Sequence, residues 1–122
     1  MHELSLATEI YRLCRSRMAE PAARLERVCL AVGELSAIEP DLLRFAWEAV
    51  TAGGPDANAA LEVEWRRARQ TCAACGEVAE RAPGAWRNVC PRCGGALAIE
   101  GGMELDLLRF EYQPAGEESR IP

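Results

Sequence analysis

Cys72-Ala73-Ala74-Cys75-Gly76 and, fourteen residues further on, Cys90-Pro91-Arg92-Cys93-Gly94-Gly95 decide how this chain is organised. Two residues between cysteines let a tight turn aim both sulfurs at one point, and the glycines that follow permit the positive φ such turns require. Paired CxxC turns at this separation enclose one tetrahedral zinc ion, and four thiolates leave no coordination position open for chemistry. A module of about thirty residues buries too little apolar area to fold alone, so the metal supplies the folding energy. A dithiol redox pair and a labile iron cluster are the competing readings, and the dithiol differs in predicting a fold that survives chelation.

Outward from the module the pattern is that of an α+β domain. On the N-terminal side, Leu4, Ala7, Tyr11, Cys14 and Met18 recur at helical spacing, widened by Ile10 and Leu13, until Pro21. Leu25 to Glu34 alternates, with Val28, Leu30 and Val32 forming the one buried face of a strand. A second helix runs from Pro40 to about Ala52. Its start has two candidates, a Ser36-x-x-Glu39 capping box or Glu39 as N-cap with Pro40 first in the helix; Pro40 disfavours helical backbone at Glu39 and so favours the second.

Gly53-Gly54-Pro55-Asp56 ends that helix, and Leu61 to Trp65 is a second strand. After Gly101-Gly102, Met103 to Leu107 alternates as a third, and the phase change at Leu107-Leu108 before Phe110 and Tyr112 predicts a bulge. The fold class is therefore α+β: a small three-stranded sheet with two helices, plus an inserted zinc-ribbon-like four-cysteine module. Residues 1–70 and 103–113 form the α+β domain, 71–102 the zinc module and 114–122 a flexible tail. Cys14 and Cys29 sit in apolar patterns and read as core residues.

Composition removes several function classes. The 122 residues contain no lysine and a single histidine, so lysine chemistry is absent and a histidine triad has only His2 to draw on. The formal charge of −5 opposes broad binding to phosphate backbones. Residues 66–95 are the exception, with six arginines against Glu77 and Glu80. They keep open a zinc-ribbon nucleic-acid adaptor using Arg66, Arg67, Arg69, Arg87 and Arg92, although Trp86 is the module's only stacking aromatic. The start of the chain lacks a signal sequence, and no segment approaches the roughly 18 apolar residues of a bilayer span, so a cytoplasmic protein is expected.

The single histidine has a chemically special position. The Met1 α-amine, the His2 backbone nitrogen and the His2 imidazole Nδ1 can close adjacent chelate rings on one ion, with Glu3 offering a fourth donor. Several nitrogens in a plane suit Ni²⁺ or Cu²⁺ rather than Ca²⁺ or Mg²⁺.

Met1-His2-Glu3-Leu4-Ser5, Gly33-Glu34-Leu35-Ser36-Ala37-Ile38-Glu39 and the two CxxC pairs stand in the order and spacing of the HypA/HybF family of hydrogenase maturation factors, which the chain resembles over residues 1 to about 112. The resemblance implies a non-enzymatic nickel metallochaperone acting in [NiFe] hydrogenase maturation. It implies Ni²⁺ as transient cargo at Met1, His2 and Glu3, and structural Zn²⁺ at Cys72, Cys75, Cys90 and Cys93. Glu39 matches an acidic position linked to nickel in some members, which stands beside its reading as a helix cap. The implied partners are a HypB-type GTPase and the hydrogenase large subunit, without membrane or nucleic acid; a homodimer is left open. Some members carry histidines beside the CxxC pairs, where this chain has Gly76, Glu77, Gly94 and Gly95, so an imidazole cannot replace a thiolate here.

Overall fold

The computed structural model describes residues 2–78 and 85–114, with His2 described through its backbone alone. The order of elements is α1 (His2–Arg17), β1 (Arg24–Gly33), α2 (Pro40–Thr51), β2 (Ala60–Arg66), β3 (Arg69–Cys72), β4 (Gly76–Glu77), β5 (Leu97–Glu100) and β6 (Leu105–Gln113). Among the described residues the strands form two three-stranded sheets, β2-β1-β6 and β4-β3-β5. In the first, α2 carries the chain from β1 to a parallel β2, and β6 returns antiparallel on the other side of β1. The second sheet, antiparallel throughout, is the base of the cysteine module and was not legible in the sequence.

The core lies between the first sheet and the two helices. Ala7, Ile10 and Cys14 of α1 and Met18 just after it meet Leu43, Ala46 and Trp47 of α2 above Val28, Leu30 and Val32 of β1. Tyr11 packs edge-on against Trp47, ring centroids 5.9 Å apart, and the Trp47 indole N–H donates to the Ala59 carbonyl at 2.9 Å. Leu4 and Leu13, assigned to the α1 stripe from their spacing, fall at its margins and are exposed.

Glu39 caps α2: its carboxylate accepts the Asp41 N–H at 3.2 Å, and Pro40 opens the helix. Ser36 takes no part in a capping box. Its hydroxyl donates to the Gly33 carbonyl at 2.8 Å and accepts from the Ile38 N–H at 3.3 Å, holding a turn that passes through left-handed backbone at Ala37 (φ 65°).

The strand expected to have one buried face has two. β1 is central, so Cys29 and Ala31 on its far face are also buried. They are small, and longer charged side chains flank them: Cys29 pairs in register with Glu62 and Arg109, and Arg27 bridges Glu62 at 3.2 Å and Glu111 at 3.7 Å. The predicted bulge is present, since Arg109 faces Cys29 while Leu107 faces Leu30, which leaves Leu108 as the extra residue. Gln113 is the last residue of β6, and the expected flexible tail starts at the next position. The rest of that expected tail, residues 115–122, lies outside the described residues.

Gly33-Glu34-Leu35 forms the junction between the two sheets. The Gly33 N–H donates to the Glu104 carbonyl at 2.7 Å, the Glu34 N–H to Arg66 at 2.8 Å and the Leu35 N–H to Gly102 at 2.6 Å. The Glu34 carboxylate accepts the Ala68 N–H at 3.0 Å. Both chain segments that enter and leave the module are thereby tied to the end of β1. A Cβ on Gly33 would overlap the Gly102 carbonyl, and Gly102 itself, at φ +88°, backs onto Ala68. Gly33→Ala is therefore expected to lower stability by about 3 kcal/mol, the upper end of overpacking costs, read as a fall in the urea midpoint. An unchanged midpoint would show that the junction yields freely.

Candidate metal centre

Cys72 ends β3, Cys75 lies in the turn to β4, and Cys90 and Cys93 form a second turn that faces the first. Within that second turn the Gly94 N–H donates to the Cys90 carbonyl at 2.8 Å and the Cys90 N–H to the Gly95 carbonyl at 2.9 Å. Gly76 and Gly94 adopt φ of 84° and 75°, the left-handed backbone that their place after each CxxC predicted.

One buried polar residue joins the two turns. The Gln70 amide donates to the Arg87 carbonyl at 2.9 Å and accepts the Arg87 N–H at 3.0 Å, while its backbone carbonyl takes the Val78 N–H at 2.8 Å. Both cysteine-bearing turns are thus pinned to β3. Sequence reasoning missed Gln70, because a single glutamine between Arg69 and Thr71 carries no pattern.

The four Sγ atoms all lie within 4.8 Å of one another, with Cys72 and Cys93 at 3.6 Å. A tetrahedron with metal–sulfur bonds of about 2.3 Å has edges near 3.8 Å, so the donor set fits a zinc-type thiolate site. Cys72 and Cys90 are buried, Cys75 is half-buried and Cys93 exposed.

The first cysteine of each turn is the more acidic. N–H groups of Cys75 and Ala74 point at the Cys72 sulfur and lower its pKa, and those of Cys93 and Arg92 bring Cys90 down to about 6. Cys75 is pushed up to about 12, chiefly by the sulfurs of Cys93 and Cys90. Crowded thiolates of this kind require a cation among them to be ionised together. Among the arginines read as a nucleic-acid face, Arg66 is already paired with Glu64 at 3.2 Å.

Met1 and the His2 side chain lie outside the described residues. Glu3 is described, and its carboxylate accepts the Glu39 N–H at 3.1 Å. That bond joins the first turn of α1 to the cap of α2 across 36 positions of sequence. Two of the sequence-assigned residues, Glu3 and Glu39, are thereby brought together, far along the chain from the cysteines. Both stand at helix N-termini, where the partial positive charge of unpaired N–H groups favours carboxylates.

Comparison with known proteins decides the relationship. The family model described as "Hydrogenase/urease nickel incorporation, metallochaperone, hypA" matches residues 1–112. The chain belongs to the HypA family. Curated HypA hydrogenase maturation factors from Acidithiobacillus ferrooxidans and Azotobacter chroococcum are 33% and 37% identical to it, each over 93% of this chain and the whole of the relative. The factor from Moorella thermoacetica is 34% identical over 91% of this chain and 98% of its own length.

Among solved structures, that of the nickel metallochaperone HypA from Helicobacter pylori is similar, with TM-score 0.56 and 25% identity over 92% of this chain and 97% of that one. A second HypA solution structure gives 0.55 and 26%, over 91% and 95%. As a HypA-family member the chain is a nickel-incorporation metallochaperone of hydrogenase maturation and not an enzyme. Among the described residues no helix is long and apolar enough to cross a membrane.

Proposed function

We propose that the chain carries Ni²⁺ at its N-terminus, through the Met1 amine and the backbone nitrogen and imidazole of His2, with Glu3 and Glu39 at hand. The observation that supports this most is the Glu39 N–H to Glu3 carboxylate bond, which sets a second acidic residue beside the N-terminal donors. Glu39 spends one carboxylate oxygen on the α2 cap, so capping and a role near the ion are compatible. Zn²⁺ is assigned to Cys72, Cys75, Cys90 and Cys93, where it crosslinks two turns and performs no reaction.

Residues 1–70 and 103–113 act as the nickel-handling unit and 71–102 as the zinc unit, tied at Gly33. The protein works in the cytoplasm with a HypB-type GTPase and delivers nickel to the [NiFe] hydrogenase large subunit. Few donors at a chain end bind an ion moderately, and a partner can take it by exchanging ligands one at a time. Binding weakens as pH falls, because the amine and the backbone amide must lose protons to ligate.

The test is calorimetry of untagged protein, since an N-terminal tag converts the amine to an amide. His2→Ala should abolish stoichiometric nickel binding while zinc content and circular dichroism stay unchanged. Nickel binding of undiminished affinity in that variant would defeat the assignment.

A further inference from the structure

β6 is the last strand of its sheet, and among the described residues nothing pairs with its outer edge. A nine-residue strand with a free edge presents a row of unpaired N–H and C=O groups, a template for another chain. Its inward-facing side is apolar and only partly covered. Leu105, Leu107, Phe110 and Tyr112 stand in register with Val32, Leu30, Val28 and Leu25, and yet Leu105 and Tyr112 are exposed. Beside this edge Leu6, Ile10 and Leu13 of α1, Leu30 of β1 and Leu105 and Leu107 of β6, with one acid, Glu9, line a groove of about 270 Å³.

We propose that this edge and groove take an added β-strand from a partner polypeptide, a segment apolar at alternate positions and basic between them. The strand geometry follows from the free backbone edge, and the alternation from the pleat, which sends every second side chain of an added strand into the groove. The charge follows from the opposite face of β6, where among the described residues Asp106 forms no ion pair, Glu111 meets Arg27 of β1 at 3.7 Å, and the strand itself carries two acids and one cation, Arg109.

A second copy of this chain fits poorly in the register that matches the most apolar residues. A two-fold antiparallel pairing that keeps the apolar residues on one face matches Leu107 with Phe110 and Leu105 with Tyr112, but sets Asp106 opposite Glu111 twice. The groove opens at Leu6, one turn of α1 beyond Glu3 and roughly 5 Å along the axis, so a docked strand lies beside the N-terminus. Strand docking nevertheless stands independently of the nickel assignment.

The experiment uses the full-length, zinc-supplied protein with a short synthetic peptide of alternating valine and lysine. A peptide of the same composition with its valines grouped at one end controls for charge. The alternating peptide should slow hydrogen exchange of β6 amides and shift the resonances of Leu13, Leu105 and Leu107; the grouped one should do neither. The double variant Leu13→Glu, Leu105→Glu, at exposed positions, should bind the alternating peptide at least roughly tenfold more weakly with fold and nickel stoichiometry retained. Equal effects of both peptides, unprotected β6 amides, undiminished binding by the double variant, or self-association of the free protein through β6 would each overturn the proposal.

Discussion

Removing the metal from the four-cysteine site is expected to unfold the module between Cys72 and Cys93 while the β2-β1-β6 sheet and its helices persist. The strands β3, β4 and β5 are four, two and four residues long. Among the described residues of the module the buried side chains are few, chiefly Gln70, Cys72 and Cys90, and form no apolar cluster, and Ile99 and Val89 are exposed. Little apolar burial among the described residues offsets the backbone entropy of ordering these turns, whereas a structural zinc–thiolate site contributes about 10–16 kcal/mol in small zinc modules.

Loss of the ion also leaves four sulfurs within 4.8 Å of one another without a cation to hold them together. Amide hydrogen exchange before and after chelation is the measurement. Protection should vanish in β3 and β5 and remain in β1 and β6, and Cys90→Ser should reproduce the effect. A chelated protein that keeps β3 protected would refute the zinc-stapled reading and revive a dithiol function.

Asp56→Ala is expected to lower the stability of the whole α+β unit by about 3–5 kcal/mol, the cost of breaking a buried ionic cluster from one side. The carboxylate is fully buried and accepts three donors: the Tyr11 hydroxyl at 2.6 Å, the Leu25 N–H at 2.7 Å and an Arg15 N–H at 3.3 Å. Arg15 also donates to the carbonyls of Ala23 and Pro21, so one cluster fastens α1, the turn after it, and the start of β1. Truncation strands the Tyr11 hydroxyl and the Leu25 N–H, and leaves Arg15 without its counter-charge.

The cluster also has a pH signature. Burial, then the bond to Asp56 and repulsion by its carboxylate, push the Tyr11 phenol up to about 12. The folded state thus favours the neutral phenol, so this contribution is complete below the ordinary value near 10 and is lost as pH rises through 12. Ultraviolet titration should show Tyr11 ionising lower in Asp56→Ala, and chemical denaturation should show the stability loss. A loss under about 1 kcal/mol would mean that the donors find other partners.

The two helices and three long strands were legible because each sets large apolar residues on its core-facing side, which imprints a period on the sequence: Ala7, Ile10 and Cys14 on α1, Leu43 and Trp47 on α2, Val28, Leu30 and Val32 on β1, whose other face is buried only under small residues. The metal site was legible for a different reason. Two-residue spacing within each cysteine pair is a local property of a turn and needs no knowledge of the fold. The strands β3 to β5 left no trace because β4 and β5 are short and largely exposed, while β3, whose burial does alternate, is only four residues long and buries Gln70 and Cys72 rather than an apolar run. Asp56 looked like an ordinary turn residue after Gly53-Gly54-Pro55, and only packing converts it into a buried acceptor.

By itself, then, the sequence determined the α+β class, the four thiolate positions and the singular placement of His2 next to the chain end, all properties of neighbours along the chain. Tertiary structure alone decided which distant groups meet: Glu3 with Glu39, Asp56 with Tyr11 and Leu25, Gly33 with Gly102, and a free β6 edge beside α1. Contacts of this kind depend on how helices and strands pack against a shared core. No local pattern encodes them, because each partner is an ordinary residue until the fold sets it against the other.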